Sequence, residues 1–173
     1  MLVKKHVDGV DLVELDDEER AALRTILLEM LDDVLEVCRR RGLSCFLAGG
    51  SMLGAARHHG FIPWDDDLDV FMPRKDYDAF EAIFDRELSE KYYLQSVNRD
   101  HYGSFPFSKI IKKNTTWLEA HTSGHSYNGV YLDIFPLENA PAGGWARKEY
   151  VLGCKALTFV VVSLAGFLDA TPA

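Results

Sequence analysis

Four carboxylates crowd into five positions, at Asp65, Asp66, Asp67 and Asp69, inside a stretch otherwise rich in apolar residues. Like charges this close repel, and acidic residues are poor strand formers, so the tract costs stability unless a cation or solvent relieves it. Its neighbours Phe61, Ile62, Trp64, Leu68, Val70 and Phe71 are not the residues of a surface loop. The second half alternates: Asp67, Asp69 and Phe71 fall on one side of a strand, and Leu68, Val70 and Met72 on the other. A chain with this segment needs a sheet with one face buried and the other open. On the open face Asp67 and Asp69 can hold one or two hard cations between them, and Asp65 can join from the strand entrance. Oxygen ligands suit Mg²⁺ or Mn²⁺, which keep waters and bind substrate phosphates. Asp66 should point away as a solvated or capping residue, and Trp64 reads as a packing anchor beneath the strand. A calcium loop of EF-hand type is excluded, because Val70 stands where that loop needs glycine and Asp76 where it needs a bidentate Glu.

The elements around this strand are readable from periodicity. Leu23, Ile26, Leu27, Met30, Leu31, Val34, Leu35 and Cys38 form one stripe, which predicts a helix over about 17–41. Asp16 and Glu19 have capping-box spacing, and three arginines followed by Gly42 mark the end. A buried strand is expected over Leu43–Ala48, then a Gly49-Gly50-Ser51 turn and a short helix from Met52 to His58. Asp76–Leu88 reads as a helix. Further strands are expected at Tyr92–Gln95, Phe107–Lys112, Thr115–Glu119 and Gly129–Phe135. An apolar helix is expected over about 145–168. One α+β domain of 173 residues follows, with a catalytic core over about 43–140.

Charge and cysteine usage narrow the function. A net charge of −8 argues against a nucleic-acid partner, which needs basic surface. Cys38, Cys45 and Cys154 have no metal-binding or disulfide spacing and read as reduced thiols. The uncharged run Ala156–Leu168 is too short to span a bilayer and reads as a buried helix. A peripheral membrane contact, with Arg147 and Lys148 near headgroups, is the minority reading.

Other residues join the acidic strand as site candidates. A strand, a glycine turn and a helix aim backbone N–H groups at an anion, which makes Gly49, Gly50 and Ser51 phosphate candidates. Asp133, alone in the apolar strand Tyr131–Pro136, needs a cation, a partner or a reacting group to offset its burial. Arg57 suits a phosphate contact or a salt bridge to the Asp cluster. Lys109 is a further phosphate candidate. His58 and His59 read as structural or solvent-facing. Trp117, Tyr127 and Trp145 are each able to stack on a base or a cationic headgroup, and nothing in the sequence selects one.

The run Ala48-Gly-Gly-Ser-Met-Leu-Gly-Ala-Ala-Arg-His-His-Gly-Phe-Ile-Pro-Trp-Asp-Asp-Asp-Leu-Asp-Val-Phe-Met-Pro-Arg-Lys-Asp-Tyr77 resembles the signature of the LicD family, which includes bacterial phosphocholine transferases and the fukutin-type transferases of animals. The likeness extends through Lys109-Ile-Ile, Asn114-Thr115 and Leu132–Pro136, and covers roughly residues 18 to 140. The resemblance implies a nucleotidyltransferase-type (polymerase-β-like) mixed sheet flanked by helices. It implies Mg²⁺ or Mn²⁺ on Asp65, Asp67 and Asp69, nucleotide phosphates at Gly50 and Ser51, and Asp133 as the third carboxylate. The implied reaction moves a phospho-alcohol from a CDP-alcohol (CDP-choline, CDP-ribitol or CDP-glycerol) to a hydroxyl of a cell-surface glycan, releasing CMP. The implied place is the cytoplasm, including the inner face of the membrane. Family members usually continue past this length, so a C-terminally truncated or minimal domain is expected. The rival expectations are NMP transfer from an NTP and a catalytically silent nucleotide-binding module.

Overall fold

The computed structural model describes residues 5–7, 10–12, 15–99, 106–117 and 128–169. The chain separates into two compact units, Met1–Leu137 and Glu138–Ala173.

In the first unit, β1 (Lys5–Val7) and β2 (Val10–Leu12) pair antiparallel as a small two-stranded sheet. Helix α1 (Asp17–Arg41) follows, with the capping box complete. The Glu19 amide donates to Asp16 Oδ1 at 2.8 Å, and the Asp16 amide donates to Glu19 Oε2 at 3.0 Å. Gly42 closes the helix in the left-handed region at φ 67°. Leu23, Leu27, Met30, Val34 and Cys38 are buried as the stripe requires. Leu35 is exposed and Val37 is buried in its stead, so the stripe is rotated slightly from the reading above.

Strand β3 is only Phe46–Leu47, not the whole of Leu43–Ala48. The backbone amides before it are already engaged. Leu43 N–H goes to the Cys38 carbonyl, and Ser44 N–H goes to Asp76 Oδ2 at 2.9 Å. Helix α2 (Gly49–His58) begins three residues earlier than expected, so Gly49, Gly50 and Ser51 form its first turn. Gly49 makes the turn out of β3 in one residue, at φ 45°. Strand β4 (Asp69–Pro73) also starts late. Asp67 precedes it, so Asp67 and Asp69 do not share a strand face as the alternation predicted. The Asp65 amide instead closes a turn onto the Ile62 carbonyl at 3.0 Å.

Then come α3 (Arg74–Glu87), β5 (Tyr92–Gln95), β6 (Ser108–Lys112) and β7 (Tyr131–Leu137). Of the expected strand Thr115–Glu119, residues 115–117 are irregular and 118–119 lie outside the described residues. Thr115 serves as a brace there. Its hydroxyl donates to the Lys112 carbonyl at 2.7 Å and accepts from the Val130 amide at 2.9 Å.

The five strands form one mixed sheet in the order β3-β4-β7-β6-β5. Only the central β4–β7 pair is parallel. One face carries Val70, Met72, Leu132, Ile134, Ile110, Tyr92 and Leu94 into a single core with α1 and α3. Alternation sends Asp69, Phe71, Asp133, Phe135 and Lys109 to the other face. This is the α+β mixed sheet flanked by helices that the sequence implied. The second unit contains α4 (Gly144–Asp169), whose described side chains are exposed from Gly143 to Val160. Among the described residues no helix is long and apolar enough to cross a membrane. All three cysteines are free.

Candidate active site

Strand register aligns the charged groups of the face opposite the core in one row. Asp69 stands opposite Asp133 across the parallel β4–β7 pair, and Asp133 stands opposite Lys109 across β7–β6. Lys109 Nζ lies 3.4 Å from Asp133 Oδ1, with side-chain exposures of 10% and 13%. The same ammonium sits 3.2 Å from the centroid of the Tyr131 ring. A buried carboxylate in an apolar strand is tolerable because a cation faces it from the neighbouring strand.

The N-terminus of α2 abuts the Asp69 end of this row. The Ala48 amide donates to the Asp69 carbonyl, and the Asp69 amide donates to Ser51 Oγ, both at 2.9 Å. Ser51 is buried and fastens the helix to the strand. A Cβ on Gly49 would come within 3.3 Å of Asp69 Oδ2, and one on Gly50 within 2.7 Å of Asp65 Oδ2. The two glycines therefore let two carboxylates approach the positive end of a helix dipole, beside backbone N–H groups.

Asp65, Asp67 and Asp69 are half-buried and Asp66 is exposed, as the sequence reading required. Burial pushes the Asp67 carboxyl up to about 6, helped by the charges of Asp69, Asp65 and Asp66. Asp69 is also raised, first by burial and then by Asp65, against the pull of Lys109. This electrostatic crowding is what a divalent cation relieves. Among the described residues no three His, Cys, Asp or Glu side chains converge closely enough to hold a metal ion. The carboxylate oxygens of Asp67 and Asp69 are hard donors of the kind a divalent cation such as Mg²⁺ takes.

Not every candidate gathers here. Arg57 lies in the last turn of α2, exposed, about 12 Å along the helix axis from Gly49. Among the described residues it makes no ion pair with the Asp cluster. Trp64 is 76% exposed, which corrects its reading as a packing anchor; its ring meets His58 edge-on at 6.4 Å. Trp117 packs against the core, and Trp145 of the second unit is 79% exposed. Tyr127 falls outside the described residues.

The residue that sequence reasoning missed is Arg24. From α1 its Nη2 donates to the carbonyls of Ile62 at 2.7 Å, Pro63 at 2.9 Å and Asp65 at 3.2 Å. Its guanidinium also stacks over Phe61, 5.3 Å from the ring centroid. Arg24 thus clamps the turn that delivers Asp65. An arginine on an ordinary amphipathic helix, some forty positions away, carries no local signal of this.

Residues 42–154 match the family described as LicD/FKTN/FKRP, nucleotidyltransferase domain. The chain belongs to the LicD family. It is 42% identical over 118 residues to the lipopolysaccharide cholinephosphotransferase LicD of Haemophilus influenzae, a match covering 67% of this chain and 43% of that protein. It is 28% identical over 116 residues to the human ribitol 5-phosphate transferase FKRP, covering 67% of this chain and 21% of that one. An uncharacterized protein of Rickettsia typhi, RT0683, is 35% identical over 57 residues, covering 33% of this chain and 18% of that one. The chain thus spans less than half the length of these relatives.

Proposed function

We propose that this LicD-family chain transfers a phospho-alcohol from a CDP-alcohol to a hydroxyl of a glycan, releasing CMP. The observation that carries the reading is the Asp69–Asp133–Lys109 row, which abuts a helix N-terminus opened by two glycines. The named relatives support it, since one transfers cholinephosphate and the other ribitol 5-phosphate.

The residues divide the task. Asp67 and Asp69, with Asp65 beside them, would hold Mg²⁺ or Mn²⁺. The bound cation would supply charge neutralisation for the diphosphate. The free N–H groups of the first α2 turn orient the phosphates, and Ser51 keeps that turn in register with Asp69. The acceptor oxygen attacks the phosphorus that bears the alcohol, in line with the bond to CMP. That P–O bond breaks, and its electron pair leaves on the CMP phosphate. The hydroxyl proton passes to the Asp133 carboxylate, which the Lys109 ammonium holds from the neighbouring strand. Catalysis is mostly positioning and electrostatics, as in other phosphoryl transfers. CDP-alcohols are cytoplasmic metabolites, so the reaction belongs on the cytoplasmic side.

The test is CMP release from CDP-choline, CDP-ribitol and CDP-glycerol with Mg²⁺ or Mn²⁺ and a glycan acceptor. Release from one donor, lost in Asp69→Asn and Asp133→Asn proteins that remain folded, supports the reading. Pyrophosphate release from an NTP, with no CMP from any CDP-alcohol, overturns it.

A further inference from the structure

Helix α4 keeps large apolar side chains in solvent along one line. Trp145 is 79% exposed, Leu152 69% and Phe159 75%, and the three recur every seven residues. Lys148 and Lys155 fall between them, so positions 145, 148, 152, 155 and 159 form one stripe at alternating steps of three and four. The stripe is about 21 Å long at the rise of an α-helix. Arg147 flanks it, and with Lys148, Val151, Leu152 and Lys155 it borders a single open hollow along the helix. The Lys148 ammonium lies 5.9 Å from the centroid of the Trp145 ring. The sequence predicts a buried helix here; the described part of α4 instead shows rings and cations sharing one exposed face.

Charge sets this helix apart. Between Gly144 and Leu168 three cations stand against Glu149 alone, in a chain of net charge −8. Glu149 follows Lys148 by one position and so points about 100° away from it. Among the described residues no carboxylate pairs with Arg147 or Lys155. A second copy of the chain is a poor occupant of the stripe, because pairing along it would gather four lysine ammonium groups in one seam. A bilayer surface accepts both kinds of side chain. Rings enter the boundary between headgroups and acyl chains, while lysine stems lie on apolar surface and their ammonium groups reach lipid phosphates. The uncharged run Ala156–Leu168 carries the helix onward without a charge to hold it in water. Among the described residues no helix is long and apolar enough to cross a membrane, so the contact is with one surface.

We propose that α4 docks on an anionic lipid surface through Trp145, Leu152 and Phe159, with Arg147, Lys148 and Lys155 on the lipid phosphates. The docking needs no step of the transfer chemistry, and it confines the chain to membranes that display acidic headgroups.

The experiment is flotation of the whole chain with phosphatidylcholine vesicles, pure or containing phosphatidylglycerol at about 3:1, which separates bound protein from aggregate. Binding is expected only with phosphatidylglycerol present, and it should be lost as ionic strength rises to about 0.5 M. Lys148→Gln/Lys155→Gln should weaken it roughly 30-fold, since each cation near such a surface contributes about fivefold. Both positions are exposed, so the thermal melt should not move. Tryptophan emission should shift to the blue on binding, and Trp145→Phe should abolish the shift. Absence of binding, equal binding to neutral vesicles, or unchanged binding by the double variant overturns the proposal. A blue shift that persists in Trp145→Phe also overturns it, because another face then meets the lipid. Self-association that Phe159→Ser abolishes, with no flotation, assigns the stripe to a second copy and overturns the lipid surface.

Discussion

Replacing Arg24 by Met keeps the length and apolar stem of the side chain but removes the clamp on residues 62–65. One nitrogen, Nη2, reaches three carbonyls, yet it carries only two hydrogens. At most two full-strength bonds are therefore lost. The Ile62 and Asp65 carbonyls are part-buried, whereas the Pro63 carbonyl is exposed and regains water. A hydrogen bond to a charged donor contributes about 1.5–3 kcal/mol, and contributions on a single nitrogen are not additive. The stacking on Phe61 adds about 0.5–1 kcal/mol. The expected loss is about 2–4 kcal/mol. With a urea m value of about 2 kcal/mol/M, the unfolding midpoint should fall by about 1–2 M. Arg24→Lys keeps the charge but reaches one carbonyl and should recover less than half. Mn²⁺ affinity should fall in both variants, because the Asp65 backbone loses its anchor. An unchanged urea midpoint in Arg24→Met, or full rescue by lysine, would refute the clamp.

Four further perturbations follow from the same geometry. Burial would push Glu81 up, but hydrogen bonds from Ser108 at 2.6 Å and Asn98 at 3.0 Å outweigh it and hold the carboxyl below its ordinary value. A depressed carboxylate stabilises the fold above its unfolded pKa and loses that contribution as pH falls through the folded one. Glu81→Gln should therefore lower stability at pH 7 and flatten the acid limb of the stability–pH curve below about pH 4.5; a parallel acid limb in the variant would contradict this. Asp67 has the opposite sign: pushed up to about 6, it favours the fold below its unfolded value and costs stability as pH rises through 6. Asp67→Asn should stabilise the metal-free protein at pH 7 by about 1 kcal/mol, discounted for its partial exposure, and lose stabilisation by added Mg²⁺. Thermal melts with and without Mg²⁺ decide it. Gly50→Ala sets a Cβ against the Asp65 carboxylate at 2.7 Å, a mobile group, so donor binding should fall with little change in Tm. Gly54→Ala meets only backbone, at 2.5 Å from the Gly60 carbonyl, and should cost about 2–4 kcal/mol. Equal Tm losses in the two would contradict the assignment.

Much of the molecule was legible because the signals are local. The α1 capping box, the glycine C-cap and the apolar stripe act within a few turns, so sequence spacing determined that helix to within a residue. The alternation from Leu68 to Met72 determined which side chains enter the core, since a strand has no choice about its period. The composition of the acidic tract singled it out as a candidate, because like charges this close repel one another. Tertiary structure decided what depends on partners far along the chain. β3 shrank because Asp76 took the Ser44 amide, and at the head of β4 the Asp69 amide went to Ser51 Oγ rather than to a neighbouring strand. Lys109 and Asp133, 24 positions apart, became an ion pair only through antiparallel register. The Arg24 clamp was invisible in the sequence for the same reason. A residue's neighbours across a sheet are set by strand order and register, which no local pattern encodes.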